Sequence, residues 1–127
     1  MVKEKKQAAK VRAVVSGKLV ATDELAELRR ALEEIEKLRF VAGISSEEAV
    51  RLESASVDLR EREREIIASL GEEVAGQIKS SSISLEKLSK RIKTRNQKLS
   101  RFPKSMDKIS EVILEIIDIA GRVGREL

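Results

Sequence analysis

The stretch ISEVILEIIDIAGRV, residues 109–123, decides the fold. At 100° per residue on a helix, Ile109, Val112, Ile113, Ile116, Ile117, Ile119, Ala120 and Val123 fill one broad apolar arc. Glu111, Glu115, Asp118 and Arg122 gather on the opposite side. An arc this wide touches more than one neighbour, so the helix is expected at the centre of a bundle.

Working outward from it, the preceding segment ends at Pro103, and Ser105 is a cap for the final helix. Ser84 is a cap for a helix with Leu85, Leu88, Ile92 and Leu99 inward, and Ser80-Ser81-Ser82 forms the loop before it. Further back, Ser45 and Glu48 form a capping box. The helix they open carries Leu52, Leu59, Ile66, Leu70 and Val74 on one face and either reaches Lys79 or pauses at Gly71. Glu63 falls inside that apolar face and is expected to be half buried, paired with Arg101 or Lys98. Thr22 or Asp23 caps a helix over about 22–42 with Leu25, Leu28, Leu32 and Ile35 in its stripe and Gly43 as its stop. Residues 2–16 read as a weakly amphipathic first helix.

The expected fold is therefore all-α: an antiparallel helical bundle of four main helices plus a basic N-terminal helix. Short loops favour antiparallel neighbours. The 127 residues fit a single domain, with residues 1–18 a basic N-terminal helix prone to fray. Charged residues make up 38%, against roughly 25% in ordinary domains, which suits helices with solvated outer faces. Heptads do not persist over enough cycles for a long free coiled coil.

Composition removes several chemistries. There is no Cys and no His, hence no thiolate, no disulfide and neither the commonest general base nor the commonest transition-metal ligand. No run approaches about 18 apolar residues, and the basic start is not followed by a signal-peptide core, so a cytoplasmic location is expected. No glycine-rich phosphate loop is present, and Ser80–Ser82 has no partner base. Glu33 with Glu36, and Glu111 with Glu115 and Asp118, have helical spacing. The latter three lie opposite the apolar arc, and we read them as a solvated stripe with Arg122 paired to Asp118. No enzyme activity, metal or cofactor is expected.

Charge is segregated. Residues 1–18 carry a net +5, residues 19–78 a net −7, residues 79–108 a net +8 and residues 109–127 a net −2. The basic segment presents Lys87, Lys90, Arg91, Lys93, Arg95, Lys98, Arg101 and Lys104. Such a helix neutralises several phosphates and binds nucleic acid without reading sequence. The competing reading is a face solvated, or docked on the acidic middle of this or another chain. With only Phe40 and Phe102 as aromatics, base stacking is scarce. An amphipathic helix lying on a membrane is disfavoured for lack of interfacial aromatics.

Two expectations of function follow. The first is a non-enzymatic interaction or assembly protein, self-associating into a homo-oligomer. Its motives are an Ile-rich arc larger than a small bundle covers, Leu114 outside that arc, and the complementary charge blocks. Arg39, in the middle of its helix's stripe, is a candidate interface arginine beside Leu114; its plainer reading is a side chain snorkelling at a helix end. The second is a nucleic-acid-binding module using the basic helix over 85–104 and the basic N-terminus.

Overall fold

The computed structural model describes residues 21–99 and 108–124, of which 95–99 by backbone alone. The expected N-terminal helix over 2–16, Pro103, the Ser105 cap, Arg101 and Lys104 lie outside the described residues, as do the side chains of Arg95 and Lys98. The regular structure among the described residues is helical, with no strand among them. We number the helices α1 (21–38 of the described residues), α2 (Ser46–Leu70), α3 (Glu72–Gln77), α4 (Leu85–Leu99) and α5 (Lys108–Arg122).

α1 departs from expectation at both ends. Residue 21 is already helical, so Thr22 and Asp23 lie within the helix rather than capping it. At the other end the helix stops at residue 38, not 42. The final turn tightens: Phe40 N–H donates to the Lys37 carbonyl at 3.4 Å and Val41 N–H to that of Leu38 at 3.2 Å. These i→i+3 bonds satisfy carbonyls that no further helical turn reaches. Gly43 then takes φ +93°, a left-handed value that favours glycine, and turns the chain towards α2.

The capping box of α2 has both its arms. Ser45 Oγ accepts from Glu48 N–H at 3.1 Å, and Glu48 Oε1 accepts from Ser45 N–H at 3.0 Å. Leu52, Leu59 and Ile66 are buried along the predicted face. α2 breaks at Gly71, whose φ of +92° and ψ of +144° end the helix, and α3 follows as a separate short helix. The break corrects one expected core residue. Val74 continues the stripe only on an unbroken helix; in α3 it is turned outward, and Ala75 is buried instead.

α5 occupies the predicted position. Val112, Ile113, Ile116, Ile117, Ile119 and Ala120 are buried, and the helix packs against both α2 and α4. Ile109, Leu114 and Val123 are partly buried against the same core. The arc that seemed too large for a small bundle is thus covered within one chain, and Leu114 is part of that packing. The apolar motive for self-association through α5 is therefore removed.

Ion pairs fix the register of α2 on α5. Arg122 pairs with Glu48, Arg51 with Glu115, and Lys108 with Asp58 at 3.7 Å. Numbers rise along α2 as they fall along α5, the order of two helices running in opposite directions. Arg122 therefore reaches Glu48 and the Gly43 carbonyl, at 2.7 Å from the latter, rather than the expected Asp118 one turn away. α1 is held to α2 by a two-pronged pair, Arg62 to both oxygens of Glu24 at 2.7 and 3.0 Å. Glu24 first, then Glu65, holds the Arg62 guanidinium above its ordinary range.

Glu63 is half-buried as expected and pairs with Arg29 of α1 at 3.4 Å, while its expected partners Arg101 and Lys98 lie outside the described side chains. Arg29 also donates to the carbonyls of Ala75, at 2.6 Å, and Ile78. One guanidinium thereby joins α1, α2 and the negative end of α3.

The Glu48 node carries a pH signature. Arg122, and then the Ser45 amide, stabilise its carboxylate and lower its pKa from 4.5 to about 2. A carboxyl depressed on folding stabilises the native state fully above its unfolded value and loses that contribution as pH falls through the folded one. The contribution of Glu48 is expected to persist above about pH 4.5 and to fade towards pH 2. In acid titrations of stability followed by circular dichroism, Glu48→Gln should flatten this limb of the curve. An unchanged limb would count against the Arg122 pairing.

Candidate nucleic-acid interface

The helix that presents the basic face is positioned from its start. Ser84 caps α4, its Oγ accepting from Lys87 N–H at 3.3 Å and its carbonyl from Leu88 N–H at 2.9 Å. The loop before it is pinned to α1, with Ser81 N–H donating to the Ala26 carbonyl at 2.8 Å. Leu85, Leu88 and Ile92 are buried to within 1% of completely, which fixes the rotation of the helix about its axis. The same rotation leaves Lys87, Lys90, Arg91, Lys93 and Thr94 exposed. Arg95 and Lys98 continue the backbone of α4.

The partners of these cations differ. Arg91 reaches the buried Glu27 of α1 at 3.2 Å. It is the described contact between the basic segment and the acidic middle, and it makes Arg91 a structural pair before it is a ligand contact. Lys90 lies 3.6 Å from Glu86 one turn earlier, both well exposed, a pairing of little energy in water. Lys87 and Lys93 have no ion pair among the described residues.

Among the described side chains, docking of the basic face on the acidic middle is seen at Arg91 and Glu27. Glu24, Glu48, Asp58 and Glu63 are taken by Arg62, Arg122, Lys108 and Arg29, none of them from α4. Among the described cations of α4, Lys87, Lys90 and Lys93 face outward.

The other sequence candidates resolve separately. Arg39 is exposed, because α1 ends one residue before it and the turn carries it away from the stripe. Leu114 packs on the core, as described above. Glu33, Glu36, Glu111 and Asp118 are exposed, while Glu115 takes Arg51. Among the described residues no group of three acidic side chains is placed to hold a metal ion. None of the described helices is long and apolar enough to cross a membrane. Leu85, Leu88 and Ile92, the described apolar side chains of α4, are sealed in the core rather than free to lie in a lipid surface.

Pattern reading missed an open groove of about 500 Å³ where α1, α2 and the loop after α3 meet. Arg29, Glu33, Glu36, Arg60, Glu63 and Lys79 line it. Its walls carry both signs, and no periodicity in the sequence marks it, since its lining comes from two helices and a loop distant in sequence.

No family model matches the chain, and comparison with characterised proteins and with solved structures gives no match.

Proposed function

We propose that the protein is a non-enzymatic binding module that engages the phosphate backbone of duplex nucleic acid through the outer face of α4. The observation that carries this reading is the outward row Lys87, Lys90 and Lys93 on a helix whose opposite side is locked in the core. A rigid row of cations releases counterions from a polyphosphate and gains affinity without reading bases. Phosphate contacts of this kind position a protein but do not specify a sequence. A single strand fits less well, because the chain has no Trp or Tyr on which to stack bases.

Two unrelated duplexes of equal length are expected to bind with similar affinity, falling steeply between about 50 and 200 mM salt. The variant Lys87→Glu/Lys90→Glu/Lys93→Glu should bind about a hundredfold more weakly, with a salt slope shallower by about three. Its fold should be intact, since all three side chains are exposed. Equal affinity of variant and parent, or binding indifferent to salt, would overturn the reading.

A further inference from the structure

A second surface lies on α2, away from the basic face and independent of it. Val57 and Val50 are exposed at 55% and 66% of their surface. On the helix, Val50, Val57, Glu61, Arg64 and Ala68 fall within roughly 60° of one another, and all five are exposed. Two of these are charges of opposite sign without ion pairs among the described residues; Arg64 donates only to the Arg60 carbonyl of its own helix, at 3.4 Å. Spacings of four, three and four from Val57 to Ala68 give a short seam of the coiled-coil type.

The seam is complementary to itself. Turned end for end about a point between Arg62 and Glu63, it sets Val57 against Ala68 of a second copy, and Glu61 against Arg64. The two-fold axis repeats both contacts in reverse, so two large-on-small apolar layers flank two ion pairs. Sliding by one layer instead puts Glu61 against Glu61 and Arg64 against Val57, or Arg64 against Arg64 and Glu61 against Ala68, so that like charges face each other. We propose that this ridge of α2 is an antiparallel self-association surface, occupied by the same ridge of a second copy.

The chain contains no cysteine, which makes the test clean. In Val57→Cys/Ala68→Cys, the two thiols sit about 16 Å apart along one helix, too far to join within a chain. Mild oxidation should give disulfide-linked dimers at high yield, whereas Ala49→Cys/Ser69→Cys, both exposed and about a quarter turn or more round α2 from the seam, should not. In sedimentation, Glu61→Arg alone should raise the dimer dissociation constant at least about tenfold, and Glu61→Arg/Arg64→Glu should restore it. A parent chain that stays monomeric into the submillimolar range, or a double swap as weak as the single one, would overturn the proposal. Duplex binding by the parent is read out separately and survives either result.

Discussion

Ile116→Ala should lower the free energy of unfolding by about 2–5 kcal/mol, the usual cost of deleting a large aliphatic side chain from a closed core. Ile116 is 1% exposed and lies near the middle of the α5 arc, where α2 and α4 both pack. Closure from two sides limits how far the neighbours can relax, so the cavity adds to the lost transfer energy. Urea unfolding measures it as a fall in midpoint with unchanged slope. Asp118→Ala, on the exposed side of the same helix, should change stability by no more than about 0.5 kcal/mol. Comparable effects at the two positions would mean that α5 is not the centre of the core.

The second large effect belongs to the backbone. Gly71→Ala should cost about 1–3 kcal/mol, because φ +92° with ψ +144° is a conformation that residues with a Cβ rarely adopt. A Cβ there would meet nothing within 4 Å, so the cost is conformational rather than steric crowding by neighbours. Gly76 supplies the control. It lies inside α3, its added Cβ also meets nothing, and its replacement by Ala should be neutral or stabilising by up to about 1 kcal/mol. Thermal or urea unfolding of the two variants should therefore give opposite signs for the same chemical change.

Much of the architecture was legible because it depends on local periodicity. The Leu25, Leu28 and Ile35 stripe, the Ser45–Glu48 box, the Ser84 cap and the α5 arc all stand as read. What escaped depends on contacts between distant segments. Glu27, Arg30 and Glu34 lie across the helix from the Leu25, Leu28 and Ile35 stripe, yet all three are buried, because α1 is covered on more than its apolar stripe. Nothing in a single helix's pattern reports a neighbour on its polar side. Ion-pair partners escaped too: Arg122 takes Glu48 rather than Asp118, and the Arg29 pairing of Glu63 was not read. Levelling helices by loop position fixes a backbone to within about a turn, while an arginine side chain spans a similar length and chooses among several carboxylates. The basic row on α4 was legible as a row; that Lys87, Lys90 and Lys93 face outward while Arg91 takes Glu27 depended on which arginines took the acids of α1 and α2.

Arg29 has a consequence for how the molecule comes apart. Six residues make too few turns to hold a helix by themselves, so α3 has no independent existence in water. Its terminal carbonyls are held by a side chain from α1, and the strand of chain that follows it is tied to α1 as well. Fraying at this corner is thereby coupled to the loss of α1 itself: amide protons of the short helix should exchange with the slow cohort of the interior, and a protease should find this connection cut-resistant until the whole molecule opens.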